Sequence, residues 1–216
     1  MRKRSIPQVP TYDEERILFD QGYSLVAGMD EVGRGPLAGP VVAGLAILPS
    51  DPQGDWVDLI RDSKQLTPSQ RERAAAELEK QASALEIGVC SPHEVDTLGI
   101  VGATQLAMRR ALDSVSLLPQ YLLLDAFPLP DVDIPQKAII KGDAKCLSIA
   151  AASIVAKVAR DRLMCLEDEA HPGYGFARHK GYGTREHMRN LQLLGPCPIH
   201  RRSFAPVRHM VGGAAS

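Results

Sequence analysis

The chain has 216 residues, of which 44% are hydrophobic, and this suits one globular domain with an extension or two small domains. Its longest strongly apolar segment, "LSIAAASIVA", is too short to span a bilayer, so no membrane protein is expected. The start "MRKRSIPQVPTYDEER" has no hydrophobic stretch, which argues against a secretory signal. A cytoplasmic protein is the expectation.

The net charge of −1 is unevenly distributed along the chain. The basic segment, residues 171–216, holds seven Lys or Arg and one acid, a balance of +6, which leaves −7 for residues 1–170. An acidic body with a basic arm is typical of a protein that meets polyanions. An ordinary solvated basic tail would have the same composition, so charge alone leaves both interpretations open.

Four cysteines, Cys90, Cys146, Cys165 and Cys197, are scattered and form no CxxC pair. This spacing predicts reduced thiols. The fragment "CPIH", with Cys197 and His200, resembles half a zinc site, but closed zinc sites need four ligands and no second pair follows. Structural zinc is therefore not expected.

The first half of the chain reads as two strands, a helix, a third strand and a second helix. The strands are "YSLVAGM" and "VVAGLAIL", joined by a glycine-rich loop, and later "ALEIGVC". Thr67 as N-cap, Pro68 at the first helical position and Gln70 completing a capping box predict a helix start. "ATQLAMRRALDSV" has apolar residues at helical spacing.

The second half adds two short strands and a buried helix. "QYLLLDAF" stops at Asp125, "KAIIKGD" stops at Asp143, and "LSIAAASIVAKVARDRL" has a stripe of small and apolar residues. Continuous apolar strands with helices predict an α/β sheet that is covered on both faces. We expect a catalytic domain over residues 1–165, with an arm at 1–20, and a basic helical extension over 166–216 whose last residues are disordered.

Three apolar strands end in acids: Asp30 with Glu31, then Asp125, then Asp143. Sites in α/β sheets usually lie beyond strand ends. Carboxylates crowded there need a compensating cation, and hard oxygen ligands suit Mg²⁺ or Mn²⁺. Two such ions are the usual device for in-line attack on a phosphodiester.

Each acid also has a structural alternative. Asp30 and Asp125 can open turns, and Asp143 can cap the following helix. Neighbouring strand residues point to opposite faces, so Asp30 and Glu31 share a site only if the strand ends or bulges there. A dinucleotide-binding loop is excluded, because it needs G-x-G-x-x-G followed by a helix, whereas "GRGPLAG" precedes the strand "VVAGLAIL".

The motifs together are similar to those of ribonuclease HII, the bacterial type 2 ribonuclease H. The resemblance runs from about Tyr12 to Pro206 and rests on "AGMDEVGRGPLAGPVVAGLAIL", "DSKQLTPSQRE", "YLLLDAF", "KGDAKCLSIAAASIVAKVARDRLM" and "HKGYGTREH". It implies a ribonuclease H-like mixed sheet flanked by helices, with a helical C-terminal extension. It also implies endonucleolytic cleavage of RNA in RNA–DNA hybrids, including single ribonucleotides in duplex DNA.

The resemblance implies roles for individual residues. The metal-binding catalytic acids fall on Asp30, Glu31, Asp125 and Asp143. Two divalent ions, Mg²⁺ or Mn²⁺, are expected there, with Asp30 bridging them.

Substrate contacts are implied at five further positions. The G-R-G element that reads the ribose 2′-OH falls on Gly33, Arg34 and Gly35, and the tyrosine that packs on the sugar at the RNA–DNA junction falls on Tyr182. Glycines let backbone groups approach a sugar closely, and the 2′-OH distinguishes RNA from DNA. Lys64 is a phosphate contact in this interpretation.

The chain departs from the family pattern at two positions, with Ala126 where glycine is usual and Gly99 where asparagine is usual. A junction resolvase and a non-catalytic binding module are the alternatives; the G-R-G loop argues against the first and the four acids against the second. A monomer is expected, and "HMVGGAAS" lacks the aromatic pair of a clamp-binding motif. Phosphate contacts in the basic segment are expected to include Arg185, Arg201 and Arg202.

Overall fold

A computed structural model describes residues 9–212, with side chains up to Met210. The strands are β1 (Val26–Val32), β2 (Val41–Ile47), β3 (Ala84–Cys90), β4 (Tyr121–Asp125) and β5 (Gln136–Ile139). The helices are α1 (Asp13–Asp20), α2 (Pro68–Gln81), α3 (Pro92–Ser114), α4 (Leu147–Ala170), α5 (Phe176–His179), α6 (Arg185–Leu194) and α7 (Val207–Gly212). The predicted disorder of the last residues, and part of the segment in which no clamp motif was seen, lie outside the described residues.

The five strands form one mixed sheet in the order β3-β2-β1-β4-β5. β1 and β4 are parallel neighbours, as are β4 and β5. β2 is buried at all seven positions, in keeping with its continuous apolar sequence. The predicted fold class, a mixed sheet flanked by helices with a helical C-terminal region, is confirmed.

Helix α2 begins as its sequence predicts. Thr67 accepts a hydrogen bond from the Gln70 backbone N–H at 3.4 Å, and the Gln70 side chain accepts one from the Thr67 backbone N–H at 2.8 Å. Two backbone donors that have no partner within the helix are thereby satisfied. The predicted capping box is confirmed.

Helix α3 is longer than the sequence analysis predicts. It begins at Pro92, because Ser91 and Glu94 form a second reciprocal cap: the Ser91 N–H donates to Glu94 Oε2 at 2.8 Å, and the Glu94 N–H donates to Ser91 Oγ at 3.3 Å. The helical path is interrupted at Gly99, whose φ of 69° is easy only for glycine. The sequence Ser-Pro-x-Glu has the same capping-box pattern as Thr-Pro-x-Gln at the start of α2. The capping-box rule would therefore have predicted the start of α3 at Pro92.

Helix α4 lies directly on the sheet through glycines in β1 and β2. A Cβ placed on Gly28 would lie 2.2 Å from the Ser148 carbonyl carbon, and one on Gly44 would lie 2.2 Å from the Ala152 carbonyl oxygen. Backbone therefore meets backbone at both positions. The predicted buried helix of small residues packs there, with Ile149, Ala151 and Ile154 fully inaccessible.

The chain divides into two compact units. Unit 1 takes in the chain up to Asp30, Gly44–Glu86 and Val115–Val155; unit 2 takes in Glu31–Ala43, Ile87–Ser114 and the chain from Ala156 onwards. The expected domains, 1–165 and 166–216, stay a prediction, and position 165 lies within α4. Among the described residues, no helix combines the length and hydropathy that crossing a bilayer requires. All four cysteines are free thiols.

Candidate active site

Strand register places Asp30 and Asp125 side by side in unit 1. β1 and β4 run parallel with Met29 opposite Leu124, and each acid is the next residue of its strand. Neighbouring strands lie ~4.8 Å apart, and residues in register project from the same face. Asp30 is 3% exposed, so its carboxylate belongs to a largely buried environment.

The turn that carries Asp143 is tied to Asp125. Asp125 Oδ1 accepts a hydrogen bond from the Gly142 N–H at 2.7 Å, and Asp143 is the following residue of the turn Gly142–Ala144. Lys141 enters this turn in the left-handed region, with φ of 57°. A Cβ on Gly142 would lie 2.6 Å from Ile149 Cδ1, so a larger residue there would require the end of the Ile149 side chain to shift.

The same turn is also held by the N-terminal segment of unit 1. The Thr11 N–H donates to the Lys145 carbonyl and the Leu147 N–H to the Thr11 carbonyl, both at 2.9 Å. The buried Glu15 carboxylate accepts from the Ser148 N–H at 2.8 Å, in the first turn of α4. The alternative in which Asp143 caps α4 is thus not what the structure shows, because Glu15 binds that helix terminus. Sequence reasoning missed Glu15, since nothing near it in the chain marks it.

Lys64 contacts Asp143 directly. Its Nζ lies 2.5 Å from Asp143 Oδ2, although most of the Lys64 side chain is exposed. Burial acts to lower the pKa of Lys64, but the hydrogen bond to Asp143 and the charges of Asp143 and Asp30 outweigh it, so the pKa is raised. Burial raises the pKa of the Asp125 carboxyl above its usual value, and the Asp143 charge adds to the rise. Burial is thus the main cause at Asp125, whereas the neighbouring acids are what raise the pKa of Lys64.

The donors of this site fit a hard divalent ion. Asp30, Asp125 and Asp143 offer carboxylate oxygens, which Mg²⁺ and Mn²⁺ prefer. Across residues 9–212 no three His, Cys, Asp or Glu side chains form a compact metal-ligand cluster. The ammonium of Lys64 is the cation placed on Asp143 here.

Glu31, the first residue of unit 2, contacts the G-R-G loop. For Asp30 and Glu31 to share a site, the strand would have to end or bulge between them. β1 does not end there, because it continues to Val32. Glu31 Oε1 lies 3.1 Å from Arg34 Nη1, and the Glu31 side chain is 10% exposed. Arg34 therefore has an acidic partner on its own loop.

The two glycines of the G-R-G loop differ in what surrounds them. Gly33 has φ of 94°, and a Cβ there would lie 2.3 Å from Arg160 Nε, so only glycine fits. Gly35 has an ordinary φ, and a Cβ there would lie 3.8 Å from the Tyr182 ring, an ordinary contact. Unit 2 thus brings Gly35 and Tyr182 together, and Tyr182 remains 43% exposed.

Arg201 supports this loop from inside the protein. It is fully buried and donates to the carbonyls of Gly33 at 2.5 Å, Arg34 at 3.0 Å and Gly39 at 3.0 and 2.8 Å. Burial lowers its pKa to about 9. The expectation that Arg201 contacts phosphate is wrong, because no part of the side chain reaches solvent; Arg185 and Arg202 are exposed.

Arg160 of α4 supports the continuation of the loop in the same way. It is also fully buried and donates to the carbonyls of Pro40 at 2.9 Å, Lys180 at 3.0 Å and Ala38 at 3.2 Å. Burial lowers its pKa as well. Sequence reasoning missed both supports, since an arginine that binds carbonyls is indistinguishable in sequence from a surface arginine.

The predicted site residues thus fall into two sets. Unit 1 groups Asp30, Asp125, Asp143 and Lys64, and unit 2 groups Glu31, Gly33, Arg34, Gly35 and Tyr182. The half zinc site has another explanation: His200 Nδ1 accepts a hydrogen bond from the Cys197 N–H at 3.0 Å. It serves the local backbone.

Comparison with known proteins identifies the family of the chain. The model of the family described as Ribonuclease HII matches residues 27–207. The chain belongs to the ribonuclease HII family. A ribonuclease HII of Dehalococcoides mccartyi is 51% identical over 201 residues, which is 93% of this chain and 95% of that protein.

Solved structures resemble the fold. The ribonuclease H2 of Pyrococcus horikoshii OT3 has a TM-score of 0.70 and 29% identity, covering 88% of this chain and 98% of that one. Bst-RNase HIII in complex with Mn²⁺ has a TM-score of 0.62 at 20% identity, covering 91% and 72%, and supports the fold alone. As a ribonuclease HII, the chain is a hydrolase, an endoribonuclease that cleaves the RNA of RNA–DNA hybrids, and the family depends on divalent metal ions.

Proposed function

We propose that this ribonuclease HII uses Asp30, Glu31, Asp125 and Asp143 to bind two divalent ions, Mg²⁺ or Mn²⁺, and cuts on the 5′ side of ribonucleotides embedded in duplex DNA. The observation that carries the proposal is the link between the acids of unit 1. Asp30 and Asp125 follow paired residues of parallel strands. Asp125 Oδ1 accepts a hydrogen bond of 2.7 Å from the Gly142 N–H, in the turn that carries Asp143. Bst-RNase HIII, whose fold is similar, has been solved with Mn²⁺.

Bound ions of this kind activate water for attack on phosphorus and stabilise the leaving oxygen. The contribution of the chain is to hold the acids. Asp30, Asp125 and Asp143 would hold the ions, and Glu31 would join them on leaving Arg34, which it contacts at 3.1 Å. Attack with departure of the 3′ oxygen leaves 3′-OH and 5′-phosphate ends.

Lys64 has two positions in this proposal. Its ammonium balances Asp143 in the free protein, at 2.5 Å. With a divalent ion bound at Asp143, the largely exposed Lys64 would be released to contact a substrate phosphate. The change costs little, since a long exposed side chain moves without disturbing the fold.

The G-R-G loop of unit 2 is suited to reading the ribose 2′-OH. The buried Arg201 binds the carbonyls of Gly33 and Arg34, so these carbonyls turn into the protein. Nothing in the protein requires glycine at position 35, where a Cβ would make only an ordinary contact. Close approach by a sugar supplies a reason for that glycine, because any Cβ would separate the backbone from the 2′-OH.

Tyr182 would pack on the sugar that follows the ribonucleotide. Its ring is partly exposed beside Gly35, whereas its backbone is held by hydrogen bonds. A flat ring there favours deoxyribose, since an unsatisfied buried hydroxyl costs about 1–3 kcal/mol. The preference for an RNA–DNA junction would therefore come from exclusion of a 2′-OH as much as from contact.

The test compares two substrates: a DNA duplex with one ribonucleotide and a continuous RNA–DNA hybrid, each with Mg²⁺ and with Mn²⁺. We expect cleavage of both, with the duplex cut only 5′ of the ribonucleotide. Tyr182→Ala should lower kcat/KM for the single ribonucleotide about tenfold more than for the hybrid. Tyr182→Phe, the matched control, should keep the preference if ring packing carries it. An unchanged substrate ratio in Tyr182→Ala would limit Tyr182 to a structural role.

A further inference from the structure

Three histidines of unit 2 surround the backbone of Tyr182. His187 is completely buried, His200 is 1% exposed and His179 is 8% exposed. The rings of His179 and His187 stack at 4.5 Å, and Phe176 meets His187 edge-on at 5.5 Å. Buried imidazoles need a hydrogen-bond partner at each ring nitrogen, so the partners fix which nitrogen carries the proton.

The hydrogen bonds of two histidines form a directed chain that ends at Tyr182. The Cys197 N–H donates to His200 Nδ1 at 3.0 Å, so His200 carries its proton on Nε2. His200 Nε2 lies 3.0 Å from His187 Nε2, to which it donates. His187 therefore carries its proton on Nδ1, which donates to the Tyr182 carbonyl at 2.9 Å. Both rings are neutral, because a second proton on either would face a donor.

His179 holds the residue before Tyr182. The Gly181 N–H donates to His179 Nδ1 at 3.3 Å, and His179 Nε2 donates to the Tyr174 carbonyl at 2.9 Å. The two-residue segment Gly181–Tyr182 is thus bound by two imidazoles, by His179 at the Gly181 N–H and by His187 at the Tyr182 carbonyl. The Gly181 carbonyl accepts from the Leu37 N–H at 2.9 Å, which joins this peptide to the G-R-G loop segment.

We infer that His187 and His200 are positioning residues that set the junction preference of the enzyme by fixing the Tyr182 backbone. Tyr182 is 43% exposed, whereas its carbonyl is hydrogen-bonded to the buried His187. The backbone of Tyr182 is therefore fixed while its ring stays accessible to a substrate. His200 precedes Arg201, which binds the Gly33 carbonyl. One short segment therefore supports both the loop that reads the 2′-OH and the ring that follows it. The inference rests on the proposed role of Tyr182.

The geometry of histidine offers a matched pair of variants. Asparagine places its amide nitrogen as far along the side chain as Nδ1, and glutamine places its amide group as far as Nε2. His187→Asn keeps the donor to the Tyr182 carbonyl, whereas His187→Gln keeps only the group that meets His200. Both variants lose imidazole volume and stability, so their difference isolates the hydrogen bond to Tyr182.

The experiment measures kcat/KM on the single-ribonucleotide duplex and on the hybrid. In His187→Gln the ratio of the two should fall about tenfold, the equivalent of one net hydrogen bond, and in His187→Asn it should stay within about twofold. Thr104→Val, which removes a hydrogen bond of a buried side chain to the Ile100 carbonyl in α3, controls for lost stability and should leave the ratio unchanged.

A second pair at His200 guards against failure of a His187 variant to fold. His200→Gln keeps the donor toward His187 and should retain the ratio, while His200→Asn loses that donor and should lower it. Equal ratios in all four variants, with Tyr182→Ala still lowering the ratio, would overturn the inference and leave the proposed function intact. An unchanged ratio in Tyr182→Ala would overturn the proposed role of Tyr182 and the inference with it.

Discussion

The acids of unit 1 and the G-R-G loop of unit 2 are held in place by different means. Asp30 and Asp125 are set by strand register, and Asp143 by a turn whose bonds come from backbone N–H groups. The G-R-G loop is held by side chains, since Arg201 donates to its carbonyls from a position far along the chain. Changes to an acid should therefore affect chemistry with the fold intact, whereas changes to the loop supports should affect fold and specificity together.

The strongest test of this difference removes one acid charge. Asp30→Asn and Asp125→Asn should each lower kcat at least roughly a hundredfold, because ~3 kcal/mol of charge stabilisation is lost. Substrate binding should remain. Without metal, the melting temperature should stay the same or rise, because burial and Asp143 already raise the pKa of Asp125. Asp133→Asn, an exposed acid, is the control; full activity in either site variant would contradict the assignment.

The loop supports can be tested with two adjacent arginines. Arg201 is buried and Arg202 is exposed. Arg201→Gln should lower the free energy of unfolding by roughly 2–4 kcal/mol, since several carbonyls lose their donor, whereas Arg202→Gln should change it by less than about 0.5 kcal/mol. Urea unfolding measures both. Equal effects would show that the buried guanidinium does not support the loop.

The histidines make unit 2 sensitive to acid. Burial lowers the pKa of His200 to about 4, and burial also lowers that of His187. A lowered pKa means that the stabilisation is complete above the unfolded value near 6.5 and is lost as the pH falls toward 4. Wild type should lose on the order of 2 kcal/mol more than His200→Gln over this range. Parallel curves of unfolding free energy against pH would exclude a neutral imidazole at this position.

The smallest expected effect concerns exposed charges of the basic segment. Arg185 and Arg202 are both exposed, and each phosphate contact contributes about 0.9 to the slope of log K against log salt. The double glutamine variant should flatten that slope by about 2, measured by fluorescence anisotropy on duplex DNA. Arg73→Gln on α2 serves as the control. A slope that does not change would place the substrate on another surface.

The sequence predicted what depends on local pattern. The strand ending at Asp125, the start of α2 at Thr67 and the buried helix from Leu147 follow from apolar runs and capping chemistry, and the structure has them. The acids were selected because each follows an apolar run. Asp125 does end β4, but β1 continues past Asp30 to Val32, and β5 ends at Ile139, before the turn that carries Asp143. Their role stays a prediction. Gly33 and Tyr182 were found by resemblance.

What the sequence did not predict depends on contacts between distant residues. The sequence predicts a phosphate contact at Arg201, which is in fact buried, because composition gives charge but not burial. Glu15 reaches Ser148, and His200 reaches His187, across intervals that follow no helical or strand period. Such supports become visible only when the chain is folded.

The direct contact between α4 and the sheet limits how this protein can be engineered. Replacing glycine by alanine is a common way to raise thermal tolerance, because it restricts the unfolded chain. Gly28 and Gly44 are closed to that strategy, since even one methyl group would collide with the α4 backbone. Gly102 in α3 is the better candidate, because the nearest atom to a new methyl there is the Leu98 Cβ at 3.2 Å, a tight contact that a small shift relieves and not a collision with backbone. A stabilised version of this enzyme should therefore be sought along α3, with the strands beneath α4 left unchanged.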